Sequence, residues 1–421
     1  MLSVTRIEEK YAMIEQMSKP HLTNHELLWG RIAAKTVYFM LGAGSGTFAA
    51  NIPRIKEALG LSPGMLGIAL LCCSLGGFVA MQFAAPLIKK LGLRLLLAIL
   101  APVFPLVLII IGMSSSFAML ALAFGLFGGL TSIAGIAVNA QAIDIEKAYS
   151  RSIMSSFHAL FSVGGLVGAG IGGAFAAHHV SIVGSMAIVA AGLSVIGIMV
   201  ITRLFDETKY NFKDDHTVIE TPHKHHKIRW WRTVLLVGSL IFISYLTEGA
   251  MADWTAIYMR SAHGADPFIA VFAYMLFNAC MTIGRFSGDS VIRKIGSVQT
   301  LISGGALALV GLVTGLLTPN LVVALIGFAV VGLGLAALVP ILISMAGNAP
   351  GGDRDQAIAR VSTMGSIGLM TGPALIGFIA DHNGLLAGMM VPVTLLGLLT
   401  VVALFMHRNR RISYRAMDVL E

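Results

Sequence analysis

Glu248 is an acid inside a long apolar run, 233–257, that contains no Lys or Arg. An ionisable side chain near the centre of a bilayer costs about 3 kcal/mol or more, so it is a functional candidate by default. Fifteen residues from Thr233, at 1.5 Å rise, put it about 22 Å into a core of about 30 Å. Desolvation with no cation in its own helix favours the neutral form, which suits a carboxyl that loads and releases a proton. The bland alternative is a protonated carboxyl that pins a neighbouring helix.

Other polar groups sit at related depths. Asp253 and Trp254 come near the outer end of the same run, and five residues from Glu248 is about 140° around a helix, so the two acids do not share a face. Tyr245 and Asn278 fall near the midplane as a neutral hydrogen-bonding pair suited to an uncharged polyol or amide. Asn139 and Gln141, with His158, suggest a second polar cluster nearer the cytoplasm, although a lone His is more often structural than a proton carrier. Arg285 and Asp289, four apart, can pair on one helix face and latch an inner gate. Lys90 and Lys294 lie in short basic loops, as gate candidates. His223, His225 and His226 have no acidic or cysteine ligand spaced with them, so no metal site is expected. Nothing resembles a Walker loop, a dinucleotide-binding turn or a catalytic dyad, which argues against an enzyme, a cofactor and direct ATP drive.

The elements that must hold these residues are membrane spans. Of the 421 residues, 56% are apolar and only 12% are charged, against about 25% charged in a soluble domain. The net charge of +8 is spread over loops, linker and tail, so lipid headgroups rather than nucleic acid are the expected partner. Cys72, Cys73 and Cys280 lie in apolar runs and read as packing residues. Runs of about 20 apolar residues occur at 32–51, 64–87, 95–112, 116–141, 153–176, 181–202, 233–257, 267–288, 298–317, 320–345, 358–380 and 384–406. An all-α integral membrane protein of twelve spans follows.

The stretch from Phe205 to Arg232 is the one long hydrophilic interruption. Sliding the chain against itself by 204 positions aligns Gly60 and Pro63 with Gly264 and Pro267, Lys90 and Gly92 with Lys294 and Gly296, and Gly164 and Gly168 with Gly368 and Gly372. The chain therefore reads as a duplicated six-helix bundle: tail 1–31, first bundle 32–203, linker 204–232, second bundle 233–406, tail 407–421. The first thirty residues lack the apolar core of a cleavable signal. Lys and Arg concentrate in even-numbered loops, linker and C-terminal tail, which predicts that both termini and the linker are cytoplasmic.

Twelve spans in two parallel repeats with basic loops after spans 2 and 8 resemble the major facilitator superfamily. NIPRIKEALGLS at 51–62, NAQAIDIEKAYSR at 139–151, SFHALFSVGGLVGA at 156–169, TEGAMADW at 247–254 and GRFSGD at 284–289 look more narrowly like its bacterial YbjJ-type inner-membrane branch, related to fucose-permease-like transporters. The resemblance implies a transporter that moves small solutes by alternating access; with the depth of Glu248 as the proton-coupling site, the expectation is a monomeric, proton-coupled secondary transporter of the inner membrane. A transporter-shaped receptor or scaffold is the alternative. It also implies that spans 5 and 11 face the opposite half, so Gly168 and Gly372 would serve the rocking motion, unless they only pack tightly within one half. One departure stands out: the family's loop acid is replaced by Lys89 in the first copy, and Arg293 stands there in the second, with Asp289 one turn earlier.

Overall fold

The computed structural model describes residues 24–149, 153–206, 227–349 and 354–417. The expectations for residues 1–23 and for the three linker histidines therefore lie outside the described residues. Thirteen α-helices are found among the described residues: α1 (Asn24–Ala58), α2 (Pro63–Val103), α3 (Val107–Gly112), α4 (Phe117–Tyr149), α5 (Met154–Ala177), α6 (Ile182–Val200), α7 (Lys227–His263), α8 (Pro267–Ile295), α9 (Ser297–Leu317), α10 (Leu321–Leu335), α11 (Leu338–Gly347), α12 (Arg354–Asn383) and α13 (Leu385–Met417).

Among the described residues, ten continuous helical runs are long and apolar enough to cross a membrane. One of them, Pro63–Gly112, has 50 residues, more than twice the roughly 20 that a bilayer core needs. It turns back at Gly92, whose φ of 76° and ψ of 160° suit a residue without a Cβ. That run therefore counts as two crossings. The 35-residue α1, its hydropathy diluted by glycines, hydroxyls and Lys35, completes the expected twelve.

The duplication is visible in the backbone. Gly60 and Gly264 have φ of 59° and 58°, and Gly92 and Gly296 have φ of 76° and 83°. Each pair is separated by the 204 positions found in the sequence. Ser62 and Asp266 each cap the helix that begins with the next residue, Pro63 or Pro267, where proline's missing N–H costs nothing.

Each half has its own aromatic core. In the first, Phe48 meets Phe124 edge-on at 4.8 Å and stacks on Phe127 at 4.9 Å; in the second, Phe277 and Phe328 are fully buried. Large apolar side chains such as Leu122 and Met199 point outward, as a lipid-facing surface requires.

One end of the bundle, here called proximal, holds the start of α1 and both edges of the linker. Arg94 pairs with Asp206 at 2.6 Å, Arg203 lies over Trp29, and Arg360 lies over Trp230 and Trp231. The two halves meet at the opposite, distal end. There Arg260 of α7 grips Glu57 of α1 with two hydrogen bonds of 2.7 and 3.0 Å, and Ser62 donates to Asp381 of α12. Backbones touch closely along the same seam. A Cβ on Gly67 would lie 2.6 Å from the Pro373 carbonyl oxygen, and one on Gly377 would lie 2.5 Å from that of Pro63. Gly173 of α5 sits against Phe268 and Val271 of α8.

Candidate functional site

Proximal to that seam, polar side chains of the two halves approach across the space between them. In the second half, Glu248 of α7 accepts a hydrogen bond from Arg285 of α8 at 3.2 Å. The side chains are 28% and 48% exposed, respectively, so neither is sealed inside the packed core. This corrects the expectation of a carboxyl without a cation: the cation comes from the next helix, 37 positions away. It also gives Arg285 a different partner from the one expected, and the side chain of Asp289 is not among those described. Tyr245 lies in electrostatic range of both members of the pair. Tyr274, one turn before Asn278 on α8, is within hydrogen-bond reach of the Asn278 side chain.

In the first half, the Tyr38 hydroxyl of α1 donates to Asn139 of α4, and the Tyr38 ring packs edge-on against His158 of α5 at 5.3 Å. Asn139 donates in turn to the Gly135 carbonyl at 2.8 Å. Asn139 and His158 thus meet as expected, through a tyrosine that sequence reasoning passed over. Gln141 does not join them: it is buried and donates to the Phe205 carbonyl at the edge of the linker. His158 is exposed and in electrostatic range of Arg285, which ties the two clusters together.

The remaining candidates divide. Asp253 is half-buried, has no hydrogen bond or ion pair with a described residue, and faces Cys73 of α2 and Tyr274 of α8 at electrostatic range. The solitary acid of α7 is therefore Asp253, not Glu248. Trp254, a solute-contact candidate by its place near the outer end of the run, is fully buried in the core with its indole N–H unpartnered among the described residues, so it lines no open surface in this structure. Lys90 and Lys294 are exposed at the Gly92 and Gly296 turns.

Gly168 and Gly372 need a correction of partner. A Cβ on Gly168 would lie 2.0 Å from the Ala43 carbonyl oxygen of α1, and one on Gly372 would lie 3.3 Å from Leu246 of α7. Both pack within their own half. Gly42 and Gly46 of α1 answer the same stripe, against Phe161 and Gly165. Close approach is what small residues at four-residue spacing permit, but the spacing does not say against which helix.

Two cations also went unweighed. Arg31 and Lys35 are one turn apart on α1, and Tyr38 follows on the same stripe. Arg31 lies 5.2 Å over the Tyr149 ring and Lys35 5.9 Å over the Phe157 ring. A lysine three residues into an apolar run was the available signal.

A sequence model of the Major Facilitator Superfamily matches residues 36–349 and 300–416. The chain belongs to the major facilitator superfamily. An uncharacterized MFS-type transporter of Yersinia pestis is 32% identical over 361 residues, covering 84% of this chain and 90% of its own. The membrane protein MosC of Rhizobium meliloti is 27% identical, with 89% of each chain covered. Among solved structures, the nucleoside transporter NupG superposes with a TM-score of 0.72 at 10% identity, covering 89% of this chain and 99% of NupG. A bacterial homologue of the lysosomal transporter Spinster, inward-facing and unoccupied, superposes with a TM-score of 0.70 at 15% identity, covering 92% and 98%. At those identities the likeness establishes the fold. As a major facilitator protein the chain is a membrane transporter of small solutes, not an enzyme.

Proposed function

We propose that this protein is a monomeric secondary transporter of the bacterial inner membrane that works by alternating access and is driven by protons. The observation that carries the reading is the seal at the distal end. Glu57–Arg260, Ser62–Asp381 and the Gly67 and Gly377 contacts close the distal end, while the Glu248–Arg285 pair stays partly exposed. The basic loops lie at the proximal end, and by the positive-inside rule that end faces the cytoplasm. The structure then corresponds to an inward-facing state, with Glu248 as the proton site and Arg285 as its counter-ion. Tyr245, Asn278, Asn139, His158 and Asp253 are the solute-contacting candidates, and lipid headgroups bind the basic loops.

Reconstituted protein is expected to give saturable uptake that an acid-outside gradient drives and an uncoupler abolishes. Binding without flux would instead support a receptor. In sealed cells, an impermeant thiol reagent is expected to label a cysteine placed at Ala262 and to miss one at Thr221. The reverse pattern would invert the sidedness.

A further inference from the structure

We propose that the transported solute is anionic and that its negative group takes Arg285 away from Glu248. This rests on the proton-driven reading above and adds the substrate class to it. Arg285 offers five N–H donors, yet only one hydrogen bond to a described residue is made, through Nη2 to Glu248. The pair is single-pronged and half open. A bidentate contact would be the stronger form, and a carboxylate or phosphate group supplies one.

The path to that guanidinium is cationic. Arg31 and Lys35 stand together on α1 near the proximal mouth, close enough that the charge of Arg31 acts on Lys35. Neither forms an ion pair with a described residue, and Nε of Arg31 is buried without a partner. Two like charges held together with no counter-ion among the described residues are a standing cost that a visiting anion would relieve. Tyr38 and His158 lie further along the stripe, and His158 is in range of Arg285.

Charge balance then explains coupling. In the empty carrier the Glu248 carboxylate neutralises Arg285. In the loaded carrier a proton from the outer water sits on Glu248 and the anion neutralises Arg285. Either ligand alone leaves an unpaired charge where the bilayer penalises it, so neither crosses without the other. The charged and titratable groups in electrostatic range of Glu248 are Arg285 and Tyr274 from α8 and Tyr245 from its own helix, with His158 of α5 in range of Arg285 and Asp253 in range of Tyr274. Tyr245 and the Asn278 amide remain to hold the uncharged part of the solute.

The test is calorimetric titration of the purified full chain with matched probes: gluconate against sorbitol, benzoate against benzamide, and glucose phosphate against glucose. Two buffers of different ionisation enthalpy report proton uptake. At least one anion is expected to bind about thirty-fold or more tighter than its neutral counterpart, taking up a proton as it does. Glu248→Gln is expected to bind the same anion without proton uptake, and Arg285→Gln to lose it. Lys35→Gln weakens binding in low salt and less so in high salt, as screening requires. If a carboxylate and a phosphate both bind, their ranking identifies the group. Binding of a neutral probe as tight as its anion, retention of anion binding in Arg285→Gln, or no anion binding at millimolar concentration overturns the proposal. Gradient-driven uptake of a neutral solute that Glu248→Gln abolishes would leave the transport reading intact and remove only the anion.

Discussion

Glu248→Gln is expected to keep solute binding and exchange and to lose gradient-driven accumulation. The amide is nearly isosteric with the protonated carboxyl and can accept from Arg285, so packing survives. What it removes is the difference in proton affinity between the two faces, and a ligand with equal affinity for both states shifts neither. For one proton per solute, a gradient of about one pH unit is worth about 1.4 kcal/mol, or about tenfold accumulation. The variant should exchange solute across the membrane at a rate similar to wild type and accumulate none against its gradient. Asp253→Asn is the control on the same helix, because Asp253 has no ion pair with a described residue to exchange. Loss of accumulation in Asp253→Asn with retention in Glu248→Gln would move the proton site five residues along α7.

The second large effect concerns the seam. Gly67→Leu and Gly377→Leu are expected to hold the protein open at the distal end, because each adds a side chain where the opposite half's backbone already lies within 2.6 and 2.5 Å of a Cβ. Overpacking costs about 1–3 kcal/mol, which moves a two-state equilibrium by about five- to 150-fold. Transport should fail while the protein expresses, and a cysteine at Ser62 should label faster than in the wild-type background. Gly168→Leu should behave differently: its Cβ would collide with Ala43 inside the first half, so the expected result is lower yield and a lower melting temperature. Full transport by Gly377→Leu would show that the distal contacts are not what closes the carrier.

Much of the architecture was legible because its signals are local. A glycine with positive φ and a proline at the first helical position are read one residue at a time, and their recurrence at 204 positions exposed the duplication. The partners of Glu248 and Gly168 were not legible. Arg285 and Glu248 belong to different helices, and only the rotation of each about its own axis decides that they meet. A glycine stripe signals that some backbone comes close; whether it belongs to the same half depends on packing between elements far apart in sequence. Tyr38 was hidden for another reason: in an apolar run its ring counts as core, and the polar tip matters only once Asn139 is opposite.

The central claim is that the distal seal opens as the proximal end closes around the Glu248–Arg285 pair. Pulsed electron resonance on spin labels in lipid bilayers measures both ends at once, with a distal pair at His179 and Ala262 and a proximal pair at Leu91 and Ile295. On acidification, and in Gly377→Leu, the distal distance is expected to lengthen while the proximal distance shortens. Two distances that stay fixed, or that change in the same direction, would contradict alternating access in this protein.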